Sequence, residues 1–226
     1  MQEDREAGKY QAIVFDLDGT VLDTLDDLTA SVNYALGALG YPQRTRQEVR
    51  AFVGNGIMRL VERSLPAQAD RQDLRDAYDI FCAHYAKHNA DRTEPYPGIV
   101  PLLREFQAAR IQTAVVSNKA EFATKSLCKK FFGDSLSAVI GAREGLPPKP
   151  DPSGTYLAIG KMGAEKARTL YVGDSDTDFL TAGNAGLECV LVSWGFRDRK
   201  FLEQLKGAEI VDTPKQLKEA VFCKKE

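Results

Sequence analysis

The segment Tyr10-Gln11-Ala12-Ile13-Val14-Phe15-Asp16-Leu17-Asp18-Gly19-Thr20 decides the fold. Its first six residues form a short, mostly apolar run, which suits a strand covered on both faces. The run then stops abruptly in acids and glycine. Similar runs recur at 111–116, 136–140, 169–172 and 189–192. Helix-length segments at 101–109, 120–131, 155–162 and 177–185 separate most of them. Strands alternating with helices predict an α/β fold with a doubly wound parallel sheet.

One stretch breaks this alternation, because residues 23–94 read as helices only. Leu25, Leu28, Val32, Ala35, Leu36 and Leu39 fall on one helical face, and Leu74, Ala77, Tyr78, Phe81 and Tyr85 trace another. Thr24 with Asp27 fits an N-terminal capping box, and Gly40 fits the stop. Pro95-Tyr96-Pro97-Gly98 has the turn chemistry of a stiff hinge. The expected organisation is a Rossmann-like core from residues 10–22 and 95–226, an inserted all-α domain over 23–94, and a tail at 1–9.

Charge and apolar patterning exclude several partners. With 30 Lys+Arg against 32 Asp+Glu, the net charge is −2, and no basic stripe for nucleic acid stands out. The run Arg197 to Lys200 reads as solvated surface. No apolar run is long enough to span a membrane, and residues 1–9 lack a secretory apolar segment. Cys82, Cys128, Cys189 and Cys223 lie far apart with no CxxC pair, as expected of reduced thiols in a cytoplasmic protein. His84 and His88 are i,i+4, but HExxH fails at Tyr85, so an exposed helix face is expected rather than zinc. Trp194 is expected to pack in the core.

The chemistry gathers where strands end. Asp16 and Asp18 follow the first run, Ser117-Asn118 the second, and Gly173-Asp174 through Asp178 the fourth. In a parallel sheet all carboxyl ends share one edge, so clusters more than fifty residues apart meet there. A single such cluster reads equally well as helix capping and turn formation. Three at corresponding strand ends do not. Asp16, Asp18, Asp174 and Asp178 repel one another unless a cation sits among them, and an all-oxygen set suits Mg²⁺. Lys149, in the proline-rich Pro147-Pro148-Lys149-Pro150, supplies a positioned positive charge.

These ordered motifs resemble those of the haloacid dehalogenase-like hydrolase superfamily, and the insertion resembles its small α-helical cap. Phe52-Val53-Gly54-Asn55-Gly56 leading into Leu60-Val61-Glu62-Arg63-Ser64-Leu65 looks like the phosphoglycolate phosphatases. The resemblance implies Asp16 as nucleophile and Asp18 as general acid and base. It implies Mg²⁺ on the Asp16 and Asp174 carboxylates and the Asp18 backbone carbonyl. It implies phosphoryl binding by Ser117, Asn118 and Lys149, with Gly19, Thr20 and Asp178 in support. Haloacid dehalogenases lack an acid at the position of Asp18, which favours phosphoryl chemistry. The implied activity is Mg²⁺-dependent hydrolysis of a small phosphorylated metabolite, 2-phosphoglycolate first. Pyrophosphate, sugar phosphates, nucleotides and β-phosphoglucomutase-like transfer are the alternatives. Arg59 or Arg63 is the candidate for a substrate carboxylate. A receiver-like phosphoacceptor module is disfavoured by Asp18 and by the insertion. The expected assembly is a monomer or homodimer.

Overall fold

The computed structural model describes residues 9–54 and 56–222. The expected tail, apart from Lys9, lies outside the described residues, as do Asn55 and Cys223. In chain order the elements are β1 (Ala12–Phe15), β2 (Leu22–Asp23), α1 (Leu25–Ala38), α2 (Arg46–Phe52), α3 (Ile57–Ser64), α4 (Arg71–His88) and β3 (Glu94–Pro95). Then follow α5 (Ile99–Ala108), β4 (Gln112–Ala120), α6 (Glu121–Phe132), β5 (Ala138–Ala142), α7 (Ser153–Met162) and β6 (Thr169–Gly173). The chain continues through α8 (Asp176–Ala185), β7 (Glu188–Val192), α9 (Arg199–Leu202), β8 (Glu209–Val211) and α10 (Pro214–Phe222).

Six strands form one parallel sheet in the order β5-β4-β1-β6-β7-β8. The order reverses at β1, so the crevice of this doubly wound sheet opens between β1 and β6, where such folds bind ligands. The unbroken apolar runs follow from coverage of both faces. On β1, Ile13 and Phe15 join a core with α5, α6 and α10, whereas Ala12 and Val14 join a second core with α7 and α8. β8 and α10 were not expected from the sequence: β8 is three residues at the sheet's edge, too short for a pattern to declare itself.

Between β2 and β3 the chain is helical. α1 to α4 bury a cluster of their own around Leu25, Leu28, Val32, Leu36, Val49, Phe81 and Tyr85. The two crossings lie side by side, since β2 and β3 pair antiparallel through Leu22–Pro95 and Asp23–Glu94. Thr24 and Asp27 correct the expectation of a capping box. Thr24 makes no side-chain cap, and the buried Asp27 carboxylate instead accepts hydrogen bonds from the backbone of Arg92 and Thr93. Asp27 is more useful to the returning chain, where the buried Thr93 N–H needs a partner, than to its own helix. The capping boxes that do form are Thr45–Glu48 on α2 and Asp70–Asp73 on α4. Among the described residues no helix is long and apolar enough to cross a membrane.

Candidate active site

The sheet register brings the sequence motifs together. Phe15 pairs with Val115 on β4 and with Val172 on β6, so Asp16, one residue on, faces the ends of both neighbours. Its backbone N–H donates to Val172 O at 2.9 Å. On the far side, the β4–β5 pairing shifts register between Val116 and Ala120. That irregularity interrupts the ladder at Ser117-Asn118-Lys119 and re-aims these side chains, as bulges do beside binding sites. After Asp16 the chain turns tightly, with Leu17 O accepting from Val21 and Leu22 N–H and Gly19 N–H donating to Leu22 O. Gly19 has φ +90°, and a Cβ there would lie 2.3 Å from Asp174 Oδ2, so this position excludes any side chain.

Lys149 organises the carboxylates. Its Nζ donates to Asp16 Oδ1 at 2.5 Å and to Asp178 Oδ1 at 2.7 Å, and the side chain is buried. Asn118 holds the lysine's loop through both ends of its carboxamide: Lys149 N–H donates to Oδ1 at 2.7 Å, and Nδ2 donates to Lys149 O at 3.1 Å. The Asn118 side chain is thus committed to that loop rather than aimed at a ligand. Asp178 is saturated, accepting from Lys149, the Tyr171 hydroxyl, the Ser175 hydroxyl and Asp174 N–H. It holds the Lys149 ammonium beside Asp16. Asp174 Oδ2 accepts from Phe196 N–H at 2.6 Å, and Thr20 Oγ1 lies 3.5 Å from Oδ1.

Burial pushes the Asp16 carboxyl up to about 7, with Lys149 pulling the other way and Asp178 adding to the rise. Burial, then Asp178 and Asp16, hold Asp174 well above the ordinary carboxylate value. Burial works against the Lys149 charge, but Asp16 and Asp178 outweigh it and keep the ammonium protonated.

The donor set fits a hard divalent cation. Oxygens of Asp16, Asp174 and Asp178 lie within 4.8 Å of one another. Around the cavity, the carboxyl groups of Asp16, Asp18, Asp174 and Asp178 outnumber the cations Lys119, Lys149 and Arg197. A hard divalent ion suits an acidic set whose ligands are all oxygens. Of the three, Asp178 has its oxygens occupied by hydrogen bonds, which leaves Asp16 and Asp174 as the freer ligands.

Lys119 was missed by sequence reasoning. It is buried, and its Nζ donates to Asp18 Oδ1 at 2.6 Å while lying 4.9 Å from the ring centroid of Tyr85 on α4. Asp18 and Tyr85 hold its charge firmly despite burial. The only sequence signal was its place directly after Ser117-Asn118. The cavity, about 660 Å³ of empty space including its mouth, is roofed by Leu28, Val53, Gly54, Gly56, Ile57 and Leu60 of the insertion.

Neither Arg59 nor Arg63 lines that cavity. Arg59 is exposed and pairs with Glu62 on its own helix, and Arg63 donates to Phe52 O. α3 turns both away, a rotation that its short pattern could not specify. Arg197, expected to be solvated surface, does border the cavity, donating to Val53 O at 3.0 Å with Asp176 3.5 Å away. Trp194 packs against the core, and its indole N–H donates to Thr20 O. The two histidines stack on each other, with His84 beside Ser31 and His88 beside Asp91. They belong to no three-ligand cluster among the described residues.

Comparison with known proteins places this geometry. The family model described as haloacid dehalogenase-like hydrolase matches residues 13–192. A Pseudomonas syringae pv. syringae protein named phosphoglycolate phosphatase is 33% identical over 218 residues, covering 93% of this chain and 80% of the relative. One of the same name from Caulobacter vibrioides is 34% identical over 212 residues, covering 90% of this chain and 89% of its own. A crystal structure from Lactobacillus delbrueckii subsp. bulgaricus, provisionally named phosphoglycolate phosphatase, superposes with a TM-score of 0.90. It is 30% identical, with 95% of this chain and 99% of that chain covered.

Proposed function

The chain belongs to the haloacid dehalogenase-like hydrolases and is a phosphatase of that family; within it, we propose that this enzyme hydrolyses 2-phosphoglycolate through a phosphorylated Asp16. The observation that carries the mechanism is the Lys149 ammonium, bonded to Asp16 at 2.5 Å and to Asp178 at 2.7 Å beside Asp174. The name shared by the similar proteins supports the substrate.

Lys149 fixes one Asp16 oxygen and orients the carboxylate for in-line attack on phosphorus, which forms the Asp16–phosphate bond as the bond to the leaving alcohol breaks. Two anions resist approach, so the Lys149 charge and donors from the Ser117 hydroxyl and the backbone of the 117–118 segment offset the repulsion. Asp18, two residues on and outside the Lys149 pair, gives its proton to the leaving oxygen. It then takes one from the water that attacks the phosphorylated Asp16. Asp16, Asp174 and the Asp18 carbonyl would hold Mg²⁺, which when bound supplies positive charge to the phosphoryl oxygens. Asp178 acts through Lys149, and Gly19 and Thr20 shape the turn that carries Asp18. The helical insertion acts as a cap whose residues exclude bulk water during chemistry, hinging where β2 and β3 pair.

Phosphate release from a panel of 2-phosphoglycolate, pyrophosphate, sugar phosphates and nucleotides, with Mg²⁺ and with EDTA, tests the reading. Fastest Mg²⁺-dependent release from 2-phosphoglycolate is expected. A preference for another member, or an isomer formed with little phosphate released, would refute the substrate.

A further inference from the structure

A phosphomonoester whose alcohol carries a carboxylate needs a second cation, placed near the leaving oxygen rather than near phosphorus. Among the described residues, three cations line the cavity: Lys149, Arg197 and Lys119. Lys149 is bound to two carboxylates under Asp16. Arg197 stands at the rim, held by Val53 O and Asp176. Lys119 has a different position: it is buried, on the cavity wall, and bonded to Asp18 rather than to Asp16.

We propose that Lys119 is the specificity-determining residue that binds the carboxylate of the leaving group. This deepens the reading above and rests on its placement of Asp18 at the leaving oxygen. An ammonium has three N–H donors. Asp18 takes one at 2.6 Å and the nearby Tyr85 engages at most a second, leaving a donor for a ligand. With the same Asp18 oxygen hydrogen-bonded to the leaving oxygen at about 2.7 Å, Lys119 Nζ stands within roughly 5 Å of that oxygen. In 2-phosphoglycolate the carboxylate begins two bonds from the same oxygen, which puts it on the scale of that separation from Lys119.

Tyr85 of the insertion packs behind Lys119, its ring centroid 4.9 Å from the ammonium, without itself lining the cavity. Its hydroxyl feels the Lys119 charge, yet it is buried without a hydrogen-bond partner of good geometry. A buried donor in that state favours the arrival of an acceptor. Lys119 is itself 5% exposed, so its remaining donor has little water to turn to and rewards a carboxylate over a neutral group. Seating α4 over β4 assembles this end of the site.

The test compares kcat/KM for 2-phosphoglycolate and for 2-hydroxyethyl phosphate, its neutral analogue, on wild type, K119M and K119Q with saturating Mg²⁺. Because both substrates are read on one preparation, the ratio is independent of the fraction folded. Wild type should favour 2-phosphoglycolate, and each variant should lose on the order of 10- to 100-fold of that preference, the usual range for a charged hydrogen bond. K119Q, which keeps a polar head, reads the same ratio should K119M fail to fold. A parallel fall on both substrates with the ratio preserved would make Lys119 only a positioning residue for Asp18 and overturn the proposal. An unchanged ratio with unchanged rates overturns it too. A wild type inactive on 2-phosphoglycolate but active on other monoesters instead defeats the substrate reading on which the proposal stands.

Discussion

Asp27→Ala tests the most consequential contact that lies outside the active site. The carboxylate is buried in the first turn of α1 and accepts from Arg92 N–H at 3.0 and 3.1 Å, Thr93 N–H at 2.9 Å and the Thr93 hydroxyl at 2.8 Å. These donors lie just before β3, so one side chain ties the chain's exit from the core to its return. Arg92 is exposed and its N–H regains water on truncation, whereas both Thr93 donors are buried and stay unpaired. Leaving a buried donor unsatisfied costs about 1–3 kcal/mol, and relief from burying the carboxylate offsets part of this, so a net loss of about 3 kcal/mol is expected. At about 2–4 °C per kcal/mol for a chain of this size, Tm falls by roughly 6–12 °C. Scanning calorimetry of wild type, Asp27→Ala and Asp27→Asn measures it. The asparagine keeps one acceptor and should fall between the other two. If Asp27→Ala melts within about 2 °C of wild type, the carboxylate is not fastening the two crossings and the reasoning fails.

Two further outcomes follow from the site. In EDTA, the raised Asp16 and Asp174 carboxyls bind protons in the folded state that the unfolded chain has already released. Their contribution to stability is therefore complete below the ordinary carboxylate range and is lost as pH rises, for Asp16 through about 7. Tm in EDTA should fall between pH 5 and 8, and Asp16→Asn, which folds but does not turn over, should fall less; equal slopes would remove Asp16 from the account. Gly195→Ala puts a Cβ 2.3 Å from Gly19 O and 2.4 Å from Asp174 Cβ, displacing the loop whose next N–H binds Asp174. Half-saturation by Mg²⁺ in a phosphate-release assay should rise on the order of 10-fold, as for other groups that orient metal ligands, and an unchanged value would show that the loop gives way harmlessly.

The sequence was most legible where one contiguous motif carries both the strand and the residue after it. Asp16, Ser117 and Asp174 follow directly from that logic, because parallel strands must present their ends together. Lys119 shows where the logic stops. A lone lysine after Ser117-Asn118 has no local mark of burial; the β4 register shift and a tyrosine on α4 create it. Arg197 fails in the same way, since it sits in a basic run and reaches the cavity only because the insertion's Val53 carbonyl faces it. Arg59 shows the opposite error, chosen for its nearness to a suggestive glycine loop although Glu62, one turn on, was the nearer partner. Asp27 had the right residue type for a cap, and only the fold reveals a better use 65 residues away.

The loop after β7 joins what the sequence kept apart. Trp194 holds the turn that carries Asp18 through Thr20 O, and Phe196 N–H holds Asp174. The Phe196 side chain, however, is buried in the insertion's own hydrophobic cluster rather than in either core of the sheet. Arg50 of α2 donates to Gly195 O at 2.9 Å, and Arg197 donates back to Val53 O, so the two layers grip each other by backbone carbonyls on both sides of that ring. Lifting the helical layer must therefore either expose Phe196 or carry the loop with it. Exposing a ring of that size is opposed by about 1.5–3 kcal/mol, whereas carrying the loop stretches a 2.6 Å bond to Asp174. Either way, the seating of the helical layer and the orientation of Asp174 depend on the same four residues. Substitutions in this loop should consequently alter metal response and substrate access together, although none of its side chains reacts.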